Sequence, residues 1–358
     1  MNARAWVLGI ATAIATVATV LAQGFAGLGT DAEGFAIPER GKALTFPQDH
    51  GSHPAYRIEW WYLTSNLTGD DGREYGIQWT LFRSALAPQS GEGWSSPQLW
   101  MAHAGLTTPD GHFHAERLAR GGVGQAGVSA EPFEAFIDDW SLQSLNMGGD
   151  AYDGLQVSAT GTDFSYQLRL EASGPLVFQG DKGYSVKSAA GQASYYYSQP
   201  FFEVAGTLKL PDRDVNVTGN GWLDREWSSQ PLSETQTGWD WVSLHLDGGQ
   251  KLMGFRLRDR TTAPFTSATW IEADGTATPF TDGALTLTPL EETRVEGRDV
   301  PTSWQVQLPE KSVDVRIDAV NPMSWMSVSV PYWEGPVRIE GSHTGRGYLE
   351  MTGYGPED

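Results

Sequence analysis

The stretch Glu59-Trp60-Trp61-Tyr62-Leu63-Thr64-Ser65-Asn66-Leu67, followed across an Asp71-Gly72 turn by Tyr75-Gly76-Ile77-Gln78-Trp79-Thr80-Leu81, is written in the period of a β-hairpin. Tyr75, Ile77, Trp79 and Leu81 share one face, with Gly76, Gln78 and Thr80 opposite, as expected of a strand with a core on one side. Asp71-Gly72 supplies the glycine that a tight turn needs where φ is positive. The pattern returns at Trp239-Asp240-Trp241-Val242-Ser243-Leu244-His245-Leu246, which leads through Asp247-Gly248 into Leu252-Met253-Gly254-Phe255-Arg256-Leu257-Arg258. Each hairpin is followed by a strand closing at a further turn, Pro109-Asp110-Gly111 or Ala273-Asp274-Gly275. Repeats decide architecture, so two copies of one β-module are expected.

Alternation recurs at Phe164, Tyr166, Leu168 and Leu170, and again at Val313, Val315 and Ile317, while no amphipathic helix stands out. The 42 glycines and 15 tryptophans likewise favour strands and turns, and 358 residues suffice for two cores. The expectation is an all-β chain of two antiparallel barrels, because closure removes exposed sheet edges. A barrel of about eight strands can hold one small ligand. The boundaries expected are a signal segment at 1–22, a linker at 23–35, an N-terminal unit at 36–227 and a C-terminal unit at 228–358.

The signal reading rests on Arg4, the uncharged run Ala5 to Ala22 and the small or apolar residues Val20-Leu21-Ala22 before Gln23. It places the mature protein outside the cytoplasm, secreted or periplasmic, with no stable membrane insertion after cleavage. A net charge of −20 repels phosphate backbones and anionic headgroups, which argues against nucleic-acid binding. With no cysteine, disulfides and thiol chemistry are excluded.

In Trp222-Leu223-Asp224-Arg225-Glu226-Trp227, strand alternation would put Trp222, Asp224 and Glu226 on one face and Leu223, Arg225 and Trp227 on the other. A carboxyl flanked by tryptophan feels desolvation, which raises its pKa and keeps a proton for general-acid work. Pairing with Arg225 would reverse this and make a structural ion-pair cluster. His50 and His53, in Asp49-His50-Gly51-Ser52-His53-Pro54, are candidate proton shuttles or packing residues, and their spacing lacks a further metal ligand. Tyr195, Tyr196 and Tyr197 would alternate across a strand and present hydroxyl-bearing rings to a cavity or to the core. No Gly-x-Ser-x-Gly elbow and no phosphate-cradling glycine loop occurs.

The ordered set Asp49-His50-Gly51-Ser52-His53-Pro54, Glu59-Trp60-Trp61-Tyr62, the tyrosine run, Trp222 to Trp227 and Gly238-Trp239-Asp240-Trp241 resembles the AttH-like family, labelled predicted secreted hydrolases and grouped with carotenoid 1,2-hydratases. The resemblance implies two lipocalin-like domains and, in the hydratase branch, acid-catalysed addition of water to an isoprenoid double bond without a cofactor. Asp224 matches the catalytic acid of that pattern, and Trp222 stands where those enzymes carry tyrosine. The histidine that precedes the acid there has no counterpart near Tyr195 to Tyr197. Glu226, Tyr195, Tyr196, Tyr197, His50, Glu59, Trp60, Trp239 and Trp241 join Trp222 as expected substrate-binding residues for a hydrophobic, isoprenoid or lipid-like molecule. The alternative expectation is a non-catalytic carrier of a hydrophobic ligand, which the resemblance links to an envelope ABC transport system.

Overall fold

A computed structural model describes residues 33–89, 91–145, 148–230, 232–233 and 235–355. The expected signal segment at 1–22 lies outside the described residues. The first sheet comprises β1 (Ile58–Gly69), β2 (Glu74–Ala85), β3 (Gln98–Thr108), β4 (Gly111–Arg120), β5 (Ala126–Ala130), β6 (Phe133–Ile137), β7 (Trp140–Ser144), β8 (Gly154–Thr160), β9 (Ser165–Ala172), β10 (Val177–Phe178), β11 (Tyr184–Val186), β12 (Ala193–Lys209) and β13 (Asp214–Ser228). The second comprises β14 (Gln236–Leu246), β15 (Lys251–Asp259), β16 (Phe265–Ile271), β17 (Ala277–Phe280), β18 (Thr286–Val295), β19 (Arg298–Leu308), β20 (Val313–Ala319), β21 (Trp325–Met326), β22 (Tyr332–Gly341) and β23 (Gly345–Met351). Among the described residues there is no α-helix.

Both sheets are antiparallel and share one strand order. The first runs β4-β3-β2-β1-β13-β12-β9-β8-β7-β6-β5, the second β17-β16-β15-β14-β23-β22-β20-β19-β18, so each unit's last strand pairs with its first. The hairpin echo read in the sequence is therefore a repeat of topology. Glu59 sits opposite Arg83 in the first hairpin and Asp240 opposite Arg256 in the second, which aligns Trp60 with Trp241. Glu226 then corresponds to Glu350, and Asp224 to Tyr348, because they face Trp60 and Trp241, and Tyr62 and Ser243, across the ladder.

The expected lipocalin-like architecture holds, with one difference between the copies. The first sheet curls into a nearly closed barrel, and the second, with fewer strands, forms a half-barrel. The open edge β18 is protected as exposed edges commonly are, by Pro289, by the charges Glu291, Glu292 and Arg294, and by two register shifts. Trp61, Leu63, Trp79, Leu81 and Trp140 pack inside the barrel, and Trp270, Trp304 and Trp333 fill the half-barrel. A third apolar cluster, including Tyr62, Tyr196, Trp222, Trp241, Phe255 and Tyr348, lies where the units dock. At this seam the sheets come so close that a Cβ on Gly76 would meet Pro336 at 2.6 Å.

Candidate functional site

Residues 222 to 228 of β13 are buried on both faces, because one side meets the barrel core and the other meets the second unit. Alternation sends Leu223 and Trp227 into the barrel core and turns Asp224 and Glu226 toward the seam, where they line a cavity of about 160 Å³. Trp60, Phe82 and Tyr196 contribute walls from the first unit, and Trp239, Trp241 and Phe255 from the second. The polar groups include Asp224, Glu226, Glu350, Lys187 and His103.

Asp224 is fully enclosed, and among the described residues no cation touches its carboxyl. Burial pushes it up to about 7, against the downward pull of hydrogen bonds from Ser198, Tyr196 and Trp222. Trp222 Nε1 can only donate, and it does so to Oδ1 at 2.7 Å, where Ser198 Oγ also bonds at 2.5 Å. The proton of the neutral acid therefore belongs on Oδ2, which faces the Tyr196 hydroxyl at 2.7 Å. Tyr196 donates to the ionised carboxylate and accepts from the neutral acid. Its hydroxyl also receives a long bond of 3.3 Å from Trp241 Nε1, linking the acid to the second unit.

Glu226, two residues along the same face, accepts from Ser194 Oγ at 2.5 Å and pairs with Lys187 Nζ at 2.7 Å. The Lys187 ammonium lies 4.6 Å from both the Tyr196 and Phe255 ring centres, so it is occupied on several sides. Glu350 accepts from Trp239 Nε1 at 2.6 Å, and burial pushes it up to about 7 as well, against bonds from Trp239 and Tyr62. The cavity thus holds two carboxyls poised near neutrality and a third neutralised by an ammonium.

Several expected site residues lie elsewhere. Trp60, Tyr196, Glu226, Trp239 and Trp241 border the cavity with Asp224, while Trp222 stands beside the acid with its ring edge-on to His245, centroids 5.7 Å apart. Tyr195, Tyr197, His50 and Glu59 face the barrel side of the wall, where alternation sends odd positions of β1 and β12. Tyr197 bonds His50 Nδ1 at 2.7 Å, His50 Nε2 reaches Asp150 at 3.0 Å, and Tyr195 meets Glu39 backbone. Arg225 pairs with Glu59, not with Asp224 as the ion-pair alternative required, and Arg83 binds the same carboxylate. Burial opposes ionisation of Glu59, yet these two guanidiniums hold it well below the usual carboxylate range. His53 joins the network, stacked 4.1 Å from Trp227 and bonded to Asp49 at 2.9 Å. The second unit repeats the clamp with Asp240 held by Arg256 and Arg258.

Glu350, Lys187 and His103 were not anticipated. Glu350 had a signal, since extending the repeat to the last strand aligns it with Glu226. His103 of β3 also borders the cavity, a placement that only long-range strand pairing creates. Among the described residues no group of three potential ligands could hold a metal ion, and no helix is long and apolar enough to cross a membrane.

Fold and site together define a tandem lipocalin-like protein with an acid-lined aromatic cavity between its two units. The AttH-like family model matches residues 37–354, and the chain belongs to the AttH-like family. The crystal structure of a candidate AttH from Nitrosomonas europaea is similar at 33% identity and TM-score 0.80, covering 90% of this chain and 100% of that one. Kievitone hydratase from Nectria haematococca shares the fold at 13% identity and TM-score 0.64, over 90% of this chain and 98% of that one. No curated protein matches the sequence.

Proposed function

We propose that the protein is an exported hydratase-like enzyme that adds water to, or removes it from, a hydrophobic unsaturated molecule held between the two units. The observation that carries the reading is Asp224: an enclosed carboxyl on the cavity wall, pushed by burial up to about 7, with no cation among the described residues in contact. Such a group can be neutral at physiological pH and still give up its proton, the requirement for a general acid. Trp60, Trp239 and Trp241 offer π faces to the cationic character that develops when an alkene is protonated. Kinship with a fold that includes a kievitone hydratase supports hydro-lyase chemistry over other uses of the fold.

The same aromatic walls would suit a carrier, and one experiment separates the two readings. The protein is incubated with a hydrophobic extract, isoprenoid and phenolic, and the mixture analysed by mass spectrometry. A product differing by one water, lost in Asp224→Asn by at least ~100-fold, is the expected result, in keeping with the usual contribution of a general acid. Recovery of unchanged ligand alone, equally with wild type and variant, would leave the carrier. Export rests on the sequence of residues 1–22, and N-terminal sequencing of protein from the producing cells should begin at Gln23.

A further inference from the structure

Asp224 and Tyr196 meet at a hydrogen bond whose direction is set by the donors around it. Gln179 is fully buried just past β10, and its Nε2 donates to Ser198 Oγ at 2.8 Å. Ser198 therefore directs its own proton to Asp224 Oδ1, where Trp222 Nε1 also donates. With both acceptor positions of Oδ1 filled, the acid's proton stands on Oδ2 and points to the Tyr196 oxygen. That oxygen receives its second, longer bond from Trp241 Nε1. Both of its lone pairs are then taken, and the Tyr196 proton meets no further acceptor among the described residues. Tyr196 lines the cavity, so the open direction for this proton is into it. A phenol alone is a weak acid, and burial beside Asp224 and Glu226 holds Tyr196 well above the usual phenol range. A neutral carboxyl behind it changes this. The hydroxyl can release one proton while taking another, and the negative charge comes to rest on Asp224. The Lys187 ammonium, 4.6 Å from the Tyr196 ring centre, favours any negative charge shared with the ring during transfer.

We propose that Tyr196 is the residue that hands the proton to substrate, reloaded by Asp224 in the same step. The Tyr196 O–H bond breaks as a C–H bond forms on the alkene, while the Asp224 Oδ2 proton crosses to the Tyr196 oxygen. Asp224 is left as a carboxylate and the neighbouring carbon as a cation. Water oxygen then bonds that carbon, and its surplus proton returns by the same route reversed: Tyr196 accepts it and passes its own to Oδ2. Alkene and water have become alcohol, and Asp224 ends neutral as it began. One hydroxyl thus serves both transfers, and Gln179, Ser198 and Trp222 hold Oδ1 as an acceptor throughout.

The transfer to carbon rests on the proposed hydration, but a bound ketone tests the donor without turnover. Acetophenone, added to the whole protein, carries a carbonyl whose infrared band moves down when it accepts a hydrogen bond. At pH 5 the band of the bound ketone is expected to be shifted. At pH 9 it should be unshifted, because Tyr196 has turned to the Asp224 carboxylate, with the midpoint at about 7. In Asp224→Asn, whose amide keeps donating to Tyr196, the band should stay shifted at both pH values. In Tyr196→Phe it should be unshifted at both, although Asp224 remains. The tyrosine Fermi doublet in Raman difference spectra, wild type minus Tyr196→Phe, reads the same reversal without any ligand, from acceptor at pH 5 to donor at pH 9. Where hydration product forms, Tyr196→Phe should lose at least ~100-fold, and combining it with Asp224→Asn should cost no more than either alone, as expected of groups in series. A band still shifted in Tyr196→Phe at pH 5, or a doublet of donor type at both pH values, would overturn the assignment. Reversal of band and doublet with no hydration product would sink the reaction and keep the donor.

Discussion

Asp224 and Arg225 are joined by one peptide bond and stand in opposite electrostatic surroundings. Asp224 meets only neutral donors, so ionisation costs free energy in the folded protein, whereas Arg225 is matched to Glu59 and lies 3.9 Å from the Trp61 ring centre. The sign of the pH dependence follows. A carboxyl raised from 3.8 to about 7 gives stability that is fully present below pH 3.8 and lost as pH rises to about 7, worth up to roughly 4 kcal/mol. Asp224→Asn keeps an acceptor for Trp222 and a donor for Tyr196, so it should unfold at higher temperature than wild type at pH 8, with the advantage vanishing at pH 4. Calorimetry at both pH values checks this, and an advantage independent of pH would refute it. Turnover should fall as pH rises through about 7, where the acid form is lost. Arg225→Leu, by contrast, strands buried Glu59 with one guanidinium and should cost about 3–5 kcal/mol in denaturant unfolding.

At the level of the strand, alternation on β13 was readable from the sequence, and with it the placing of Asp224 and Glu226 on one face. The same rule applied to β12 separates Tyr196 from Tyr195 and Tyr197, but the sequence could not say which side held the cavity. That depends on where the second unit docks, a relation between residues on strands far apart in the chain, such as Tyr62 and Trp241. Arg225 was equally ambiguous, because its partner Glu59 lies on β1, and only the β1–β13 pairing brings them together. The barrel of the first unit was legible from turn spacing and alternation, whereas the half-open second unit was not, since missing strands leave no local signature. Gly76 tests the docking. Facing Pro336 at the seam, it leaves no room for a side chain, and Gly76→Val should destabilise by about 1–3 kcal/mol through overpacking. The accompanying loss of near-ultraviolet dichroism from Trp241 and Tyr62 would show that the seam, not the strand, had yielded.

For the whole molecule, the third apolar cluster binds the two units as firmly as a core, with Tyr62, Tyr196 and Trp222 on one side and Trp241, Phe255 and Tyr348 on the other. Unfolding should therefore be a single transition, with tryptophan fluorescence and far-ultraviolet dichroism losing signal together in denaturant. Two separated transitions would mean that the units are independent. The shared strand order carries a different consequence. Two identical units meeting face to face would be obliged to present identical groups at equivalent positions, so any carboxyl near the centre would confront its own twin. Covalent fusion of the copies lifts that obligation: position 224 keeps an acid while its counterpart has become Tyr348, and Glu226 has its ammonium while no described cation pairs with Glu350. Broken symmetry of this kind leaves one cavity with a carboxyl that meets only neutral donors beside another that is matched to an ammonium.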